Sequence, residues 1–339
     1  MEATPQQLKA LPPPLLAWYD ENRRVLPWRE QVSPYRTWVS EIMLQQTRVT
    51  AVLPYFDRFM AALPTVAALA DAPEQQLMSL WQGLGYYSRA RNLQKAAQVI
   101  MTRHGGVFPD TYEGLTALPG VGDYTAGAIA SIAFGQPVPA VDGNVLRLAA
   151  RLTGCDDNVL EPKTRARFRR WMAEVIPSDR PGAFNQALMD LGAMVCLPNG
   201  APLCEQCPAR TFCTACEKGL QRQLPVREKK TARRVEQRTV FLLRQRPATG
   251  LLAGLWEFPN VPGALTERQA AEQLAKWGLI PHRWGKSFTD KHVFTHITWE
   301  MTVFTITVQG AGPPEWVWCP DEEREKYPMP TAFGKLEKE

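Results

Sequence analysis

The 339-residue sequence has no apolar run that approaches the roughly 18 residues a membrane helix needs, so we expect no membrane partner. Its N-terminus lacks the charged–apolar–small order of a secretory signal peptide. The 29 prolines follow no repeat, which excludes a collagen-like chain. With 45% hydrophobic and 22% charged residues, the composition excludes a disordered chain and is typical of a globular protein with about two domains.

The chain also lacks the cysteine distribution of a disulfide-stabilised protein. Seven cysteines are an odd number, and five of them lie between Cys196 and Cys216. A disulfide framework would be even in number and more widely spread, so a metal site in a reducing compartment is favoured. Two C-x-x-C pairs, Cys204/Cys207 and Cys213/Cys216, lie only five residues apart, which leaves zinc and an iron–sulfur cluster as alternatives. The net charge of +5 is compatible with a polyanionic partner without requiring one.

Periodicity divides the chain into two parts joined by a basic segment. Apolar residues recur at three- and four-residue spacing before the cysteines, with turns marked by Pro and Gly. A multi-helix domain is therefore predicted over 1–220, including the cysteine loop 196–216. Residues 221–237 are rich in Lys and Arg, as in a solvated linker or an arm that follows a polyanion. Residues 238–339 predict a smaller α+β domain.

Individual elements can be predicted in both parts. Ser33 is expected to cap a helix that has Pro34 at its first position. The predicted helices cover residues 35–47, 67–82, 88–103, 184–196 and 267–277. The predicted strands, rich in β-branched and aromatic residues, cover 239–243, 292–299 and 301–308.

Two carboxylates are candidates for chemistry. Glu41 falls within a predicted helix among Trp, Val, Ile, Met and Leu, where burial would raise its pKa and let it act as a general acid near neutral pH. The alternative is that Glu41 forms a structural ion pair with a buried arginine. Asp142, in the stretch V-D-G-N-V, is on its own a natural helix N-cap.

A glycine-containing stretch, T-A-L-P-G-V-G-D-Y-T-A-G at 116–127, predicts a helix, a tight turn and a second helix that begins near Asp123. Gly120 and Gly122 permit positive φ and the close approach of another backbone. Amide groups at such a helix N-terminus can bind a phosphate. An ordinary turn between two helices is the alternative.

Five motifs follow one another along the chain in this order: W-V-S-E-I-M-L-Q-Q-T, L-W-Q-G-L-G-Y-Y-S-R-A-R-N-L, L-P-G-V-G-D-Y-T-A-G, V-D-G-N-V and F-N-Q-A-L-M-D-L-G-A-M-V-C. Together they resemble the helix-hairpin-helix DNA glycosylase superfamily, and within it the MutY-type adenine DNA glycosylases. The resemblance covers nearly the whole chain. It implies a mainly α helix-hairpin-helix glycosylase domain with an iron–sulfur cluster loop, and a smaller α+β Nudix-like domain that is shortened after Leu243.

The resemblance implies a monofunctional enzyme of base excision repair that hydrolyses the N-glycosidic bond of adenine opposite 8-oxoguanine or guanine in duplex DNA. Glu41 would protonate adenine N7, Asp142 would stabilise the cationic sugar, and Asn144 would orient that site. Tyr124 stands where related endonuclease III enzymes carry a Schiff-base lysine, so strong lyase activity is not expected. The alternatives are an endonuclease III-like glycosylase for pyrimidine lesions and a non-catalytic module that binds DNA lesions.

The resemblance also assigns DNA contacts to four groups of residues: those beside the extruded adenine in the DNA stack, the adenine pocket, the hairpin glycines and the loop that recognises 8-oxoguanine. Beside the extruded adenine are Gln46, Thr47 and Tyr86, and in the adenine pocket are Trp28, Arg29 and Gln186. The hairpin glycines are Gly120 and Gly122, and the loop that recognises 8-oxoguanine is Phe294, Thr295 and His296. Thr295 stands where the family has serine, and it keeps the hydroxyl group.

For the cysteines, the resemblance implies one 4Fe–4S cluster held by Cys196, Cys204, Cys207 and Cys213. The first interval has seven residues here and six in the family, which gives Cys216 a possible role as a substitute ligand. The stretch Q-A-A-E-Q-L-A-K-W-G-L at 269–279, which stands in place of a glutamate-rich Nudix helix, has only Glu272, so pyrophosphate hydrolysis is not expected. A monomer in a bacterial cytoplasm, associated with the nucleoid, is the expected setting.

Overall fold

The computed structural model describes residues 3–228, 234–241, 244–245, 256–319, 327–334 and 336. The chain forms two compact units, one made of Met1–Ala72 with Arg91–Lys229 and the other of Pro73–Ala90 with Lys230–Glu339. Part of the predicted strand 239–243, part of the basic segment 221–237 and the expected shortening after Leu243 fall outside the described residues. Within the described part of the chain, no helix has the length and apolar character needed to cross a membrane.

The described chain up to residue 228 is built from helices and contains no strand, as the periodicity predicts. Two short 3-10 turns, Cys204–Gln206 and Arg210–Phe212, lie in the cysteine loop. The helices are α1 Gln6–Lys9, α2 Pro12–Asn22, α3 Pro27–Glu30, α4 Pro34–Leu44, α5 Val49–Ala62, α6 Val66–Asp71, α7 Glu74–Trp81, α8 Ser88–Arg103, α9 Tyr112–Thr116, α10 Asp123–Phe134, α11 Gly143–Thr153, α12 Pro162–Val175, α13 Pro181–Met194 and α14 Thr214–Glu217.

Most predicted helices are found, with corrections at their ends. The Ser33 hydroxyl caps α4 by accepting a hydrogen bond from the Arg36 amide at 3.2 Å, and α8 has the predicted bounds. The helix predicted at 35–47 ends at Leu44, because the chain turns into a left-handed conformation at Gln46. The helix predicted at 67–82 is wrong as a single element: α6 ends and α7 begins around Pro73, whose ring disfavours helical backbone at the residue before it.

Two glycines let α10 and the start of α13 lie close to neighbouring backbone. A Cβ atom added to Gly127 would lie 2.4 Å from the Pro139 carbonyl oxygen, and one added to Gly182 would lie 2.8 Å from the Ser131 carbonyl oxygen. Both distances are too short for any side chain, so only glycine permits this packing. The close approach brings α10 against the segment that leads into α11, and the start of α13 against α10.

The second unit contains a four-stranded sheet with the strand order β4-β1-β6-β5. Strand β1 is parallel to β6 and antiparallel to β4, and β5 is antiparallel to β6. A separate two-stranded pair joins β2 and β3. The elements are β1 Arg234–Val240, β2 Arg244–Gln245, β3 Trp256–Glu257, β4 Asn260–Pro262, α15 Glu267–Lys276, β5 Ile280–Val293, β6 Ile297–Gln309 and α16 Thr331–Gly334.

Strand β6 supplies apolar side chains to both faces of this sheet. Trp299, Met301 and Val303 pack in one cluster with Phe333 of α16, whereas Phe304 packs in another with α15. The strand predicted at 301–308 lies within β6, and α15 matches its predicted bounds to one residue. The strand predicted at 292–299 is wrong as one element, because the Phe294 amide donates to the Ile297 carbonyl oxygen at 2.8 Å and closes a turn between β5 and β6.

Candidate active site

A cavity of about 1050 Å³ lies in the first unit and is lined by residues of α3, α4, α10, α11 and α13 and of the turn after α4. This volume reaches the upper end of the range usual for small-molecule sites. The cavity brings together nine residues predicted from the sequence. They are Trp28, Arg29, Glu41, Gln46, Thr47, Tyr124, Asp142, Asn144 and Gln186.

Glu41 projects from α4 into this cavity and is 5% exposed. Burial raises its pKa to about 7; a hydrogen bond from Tyr124 lowers it and the charge of Asp142 raises it. The Tyr124 hydroxyl donates to Glu41 Oε2 at 2.5 Å, and burial keeps the pKa of Tyr124 well above 10, so the phenol holds its proton. The expectation of a buried carboxyl that is protonated near neutrality therefore agrees with the geometry. The hydrogen-bond partner is a tyrosine, whereas Arg29 acts through charge alone.

Asp142 caps the N-terminus of α11, so the N-cap interpretation is confirmed. Its carboxylate accepts hydrogen bonds from the Asn144 amide at 2.8 Å, the Val145 amide at 2.8 Å and Asn144 Nδ2 at 2.7 Å. Burial raises the pKa of Asp142 above its usual value, and these donors oppose that rise because they stabilise the anion. The cap and the cavity position are compatible, because the carboxylate also lines the cavity.

The backbone just before Asp142 is held by Asn185, a fully buried residue of α13 that the sequence interpretation missed. Its Oδ1 accepts from the Ala140 amide at 3.1 Å, and its Nδ2 donates to the Val138 carbonyl oxygen at 2.9 Å. These two bonds fix the chain two residues ahead of Asp142. An amide inside a mostly apolar helix was the only local signal for this role.

A hydrogen-bonded chain leads from the Asp142 turn to the cysteine loop. Asn144, which donates to Asp142, accepts from Arg147 Nη2 at 2.9 Å. Arg147 Nε donates to the Cys196 carbonyl oxygen at 2.9 Å. Asn144 is therefore fixed from both sides, which supports the orienting role expected for it.

Asp190 is a second buried residue that the sequence interpretation missed, and it engages Arg29. Arg29 Nη1 and Nη2 lie 2.6 Å and 3.0 Å from the two Asp190 carboxylate oxygens, and Arg24 Nε lies 2.7 Å from Oδ1. The guanidinium of Arg29 is thus shared with a fully buried carboxylate while it still lines the cavity. Gln186 donates to the Gly182 carbonyl oxygen at 3.2 Å, and Trp28 packs edge-on against Phe56 at 5.1 Å.

Among the described residues, Gln46 and Tyr86 are the two non-glycine residues with positive φ, at 61° and 51°. Such conformations cost about 1–3 kcal/mol each and cluster at functional sites. Both residues were expected beside an extruded base. The backbone strain at Gln46 and Tyr86 is consistent with that expectation, because the fold keeps both residues in a conformation that non-glycine residues usually avoid.

Tyr86 and the turn predicted to read the opposite base lie together in the second unit. The Tyr86 ring is 44% exposed, and its hydroxyl lies 2.6 Å from Thr295 Oγ1. Phe294 packs edge-on against Trp299 at 5.0 Å, whereas Thr295 and His296 are exposed. The turn therefore has one apolar anchor and two accessible polar side chains.

The predicted hairpin joins α9 to α10, and α10 begins at Asp123 as expected. Gly120 has φ +74°, and a Cβ atom there would lie 2.6 Å from the Asn92 Cβ. Gly122 has φ −93°, so of the two glycines only Gly120 adopts the positive φ that glycine permits, and Gly122 serves as the N-cap of α10. The Asp123 carboxylate accepts hydrogen bonds from Tyr112 at 2.8 Å and from Arg169.

Five cysteines line a small cavity beside α11. They are Cys196, Cys204, Cys207, Cys213 and Cys216. Arg151 Nη1 donates to the Cys196 sulfur at 3.2 Å. Within the described ranges, no three Cys, His, Asp or Glu side chains converge on a point that could hold a single metal ion. The five cysteines instead line the cavity. A wall of thiols is the donor set that iron–sulfur clusters and zinc use.

Family models match both units. Residues 39–174 match the HhH-GPD superfamily of base excision DNA repair proteins, and residues 232–339 match a NUDIX domain. The chain is 35% identical over 395 aligned positions to an adenine DNA glycosylase of Homo sapiens, covering 95% of this chain and 72% of that protein. It is 36% identical to an adenine DNA glycosylase of Arabidopsis thaliana, covering 88% of this chain and 57% of that protein.

A solved structure of a thermostable thymine-DNA glycosylase resembles the fold with a TM-score of 0.56 and 27% identity, covering 64% of this chain and 100% of that chain. A trapped endonuclease III–DNA covalent intermediate gives a TM-score of 0.54 and 25% identity, covering 65% of this chain and 100% of that chain. The helical fold and the smaller sheet unit therefore agree with the expected fold class.

Proposed function

Because this chain belongs to the adenine DNA glycosylase family, we propose that it hydrolyses the N-glycosidic bond of adenine opposite 8-oxoguanine or guanine in duplex DNA. The observation that carries the proposal is the placement of two carboxyl groups on one cavity with different surroundings, the buried Glu41 and the half-buried Asp142. The reaction would be the adenine-removal step of base excision repair. The division into a helical domain 1–220, a basic linker 221–237 and a second domain 238–339 stays a prediction.

The two carboxyl groups suit opposite roles because their surroundings differ. Glu41 has one hydrogen-bond donor, Tyr124, and mostly apolar neighbours, so it holds a proton up to about pH 7 and can deliver it to adenine N7. Protonation matters because anionic adenine is a poor leaving group. Asp142 has three donors, which favour its anion and let it stabilise the positive charge that develops at C1′. Water then completes the hydrolysis.

Tyr124 supports a glycosylase without strong lyase activity. A phenol has no amine nitrogen, so Tyr124 cannot form the Schiff base that a lysine would form with the sugar. Its hydroxyl is committed to Glu41 and keeps its proton. Its part in the reaction is to hold the Glu41 carboxyl in place. The same hydrogen bond stabilises the Glu41 anion once the proton has moved to adenine.

Recognition of the opposite base would fall to the second unit. The exposed Tyr86 ring and the Thr295 hydroxyl, 2.6 Å from its phenol oxygen, present a stacking surface and a hydrogen-bonding group side by side. Stacking and hydrogen bonds to a base edge are the means by which enzymes that act on DNA bases read them. Gln46 and Thr47 would contact the stack from the first unit, and the amides around Gly120 and Gly122 would bind a backbone phosphate.

A substrate panel tests the proposal. One duplex carries adenine opposite 8-oxoguanine, another adenine opposite guanine, a third adenine opposite thymine and a fourth thymine glycol opposite adenine. Each is reacted in single turnover and then treated with alkali. We expect strand breaks at adenine in the first two duplexes only. Release of thymine glycol would support the endonuclease III-like alternative, and binding without release would support a non-catalytic module.

For the cysteine cavity, we propose that Cys196, Cys204, Cys207 and Cys213 hold one 4Fe–4S cluster. The thiol donor set fits such a group, and the bound cluster would tie the loop 196–216 together. Anaerobically purified protein is expected to show a broad absorption band at about 410 nm, as this class of cluster does. Cys207→Ser should lose the band.

Matched variants sharpen this prediction. Cys155→Ser should keep the band, because Cys155 lies outside the cavity and its thiol interacts with Arg167. Cys216→Ser should also keep the absorption band, because Cys196 is the proposed ligand. If Cys216→Ser loses the band and Cys196→Ser keeps it, Cys216 is the ligand in place of Cys196. A colourless protein that binds one equivalent of zinc would contradict the cluster.

The reaction rate should depend on pH through Glu41. The general acid works only while protonated, so the single-turnover rate constant is expected to fall as pH rises through about 7. Tyr124→Phe removes a hydrogen bond that lowers the pKa of Glu41, so the falling limb should move to higher pH. The measurement is a pH–rate profile for both proteins, and coincident limbs would show that another group titrates.

A further inference from the structure

The start of the basic segment 221–237 is fixed against the first unit along residues 224–228. Arg151 Nε donates to the Leu224 carbonyl oxygen at 3.0 Å, and the Val159 amide donates to the Val226 carbonyl oxygen at 3.1 Å. Asn158 Nδ2 donates to the Glu228 carbonyl oxygen at 3.3 Å. Residues 224–228 are therefore an ordered part of the surface around α11.

The ordered backbone places Arg227 beside the residue that follows Asp142. Arg227 Nη2 lies 3.4 Å from the Gly143 carbonyl oxygen and 3.7 Å from where a Cβ atom on Gly143 would be. The side chain is exposed, so its guanidinium has donors left for a ligand from solution. A neutral carbonyl oxygen holds the group in position without cancelling its charge.

Arg165, an exposed residue of α12, lines the same cavity as Asp142 and Asn144. Its Nε donates to the Val159 carbonyl oxygen at 3.1 Å. Val159 is the residue whose amide binds Val226, so one backbone pairing supports both arginines. Each guanidinium is held by a main-chain carbonyl oxygen.

Positive charge is therefore concentrated at the Asp142 turn. Arg147 also contacts the Gly143 carbonyl oxygen, at 3.5 Å. The positive end of the α11 dipole points to the same place. Such a concentration of cations attracts an anion from outside the protein.

We propose that Arg227 and Arg165 bind the backbone phosphates that flank the extruded nucleotide and so position its sugar against Asp142. The proposal rests on the proposed function, because a nucleotide whose C1′ faces Asp142 carries a phosphodiester on either side of that sugar. Arginine is suited to this contact because its planar fork matches two phosphate oxygens. Both arginines are positioning residues, and neither touches the base.

The first experiment measures equilibrium binding against salt concentration. The ligand is a duplex with a tetrahydrofuran abasic analogue opposite 8-oxoguanine, which cannot react. Arg227→Ala is expected to bind about tenfold more weakly at low salt. The slope of log affinity against log salt should become shallower by about 0.9 for each lost phosphate contact, and by about twice that in the Arg165→Ala, Arg227→Ala double variant.

The matched control is Arg222→Ala, which removes an exposed arginine of the same segment that is not among the described residues in contact with Gly143. Its slope should equal that of the wild-type protein, and Arg227→Lys should keep most of the slope because the charge stays. An Arg227→Ala slope equal to that of Arg222→Ala overturns the proposal. Thermal unfolding of each variant shows whether the fold is retained.

The second experiment locates the phosphate. A neutral methylphosphonate replaces the phosphate on the 5′ or the 3′ side of the abasic analogue. At the contacted position, neutralisation should weaken wild-type binding about tenfold and leave Arg227→Ala binding unchanged. Equal losses in both proteins at both positions would mean that Arg227 binds no flanking phosphate. Adenine release by the wild-type protein is measured alongside, so a failure of the proposed function is recognised separately.

Discussion

Replacing Glu41 with glutamine is expected to slow adenine release by about 10²–10⁴-fold, the range that a positioned general acid contributes, while binding of the mispaired duplex is kept. Glutamine has nearly the same shape and can still accept the Tyr124 hydrogen bond, but its amide has no proton to give at neutral pH. Because the pKa of Glu41 is about 7, the substitution replaces a carboxyl group that is largely neutral below that pH. The fold should therefore tolerate it.

Two measurements separate chemistry from binding in this variant. Single-turnover rates on adenine opposite 8-oxoguanine give the loss of chemistry, and a binding titration on the unreactive abasic duplex gives affinity. The remaining rate of Glu41→Gln should no longer fall through about pH 7, since the titrating group is gone. A rate within a few-fold of the wild-type value would remove Glu41 from the mechanism.

Replacing Asp142 with asparagine is expected to reduce the rate by about 10²–10³-fold, the usual cost of losing one preorganised electrostatic contact to a developing charge. The choice of asparagine matters because Asp142 also caps α11. Asparagine caps helices about as well as aspartate, so the negative charge is removed while the fold is retained. The loss should fall on the rate constant and not on duplex binding.

Asp142→Ala provides the structural comparison for this test. Alanine removes both the charge and the cap, so unfolding should become easier by about 1 kcal/mol in addition to the loss of rate. An active Asp142→Asn together with a destabilised Asp142→Ala would show that Asp142 is only a helix cap. Because the two carboxyl groups act in one step, the Glu41→Gln, Asp142→Asn double variant should be only slightly slower than the slower single variant.

Much of the helical unit could be predicted because its signals are local. The cap at Ser33, the bounds of α8 and the start of α10 each depend on residues within a few positions of one another. The raised pKa of Glu41 could also be anticipated, since apolar neighbours on its own helix supply much of the burial. Errors arose where a single residue interrupts a periodic pattern, as Pro73 does.

The remaining features of the site depend on contacts between distant parts of the chain. Tyr124 and Glu41 are 83 positions apart, and Arg29 and Asp190 are 161 positions apart. No local pattern pairs such residues. Strand β5 was missed over 280–291 for a similar reason, because its Pro, Gly and charged residues disfavour a strand and pairing with β6 overrides that preference. Asn185 escaped notice because only the folded chain brings it to the Asp142 turn.

At Gln46 and Tyr86, which have left-handed backbone conformations, thermal stability and the proposed DNA contacts favour different residues. Glycine would relax the backbone at either one, so a search for more thermostable variants should favour glycine there. Such variants would lose the side chains proposed to meet the distorted duplex. Selection by melting temperature alone would thus yield more stable proteins that remove less adenine, so screens for thermostability need a concurrent assay of adenine release.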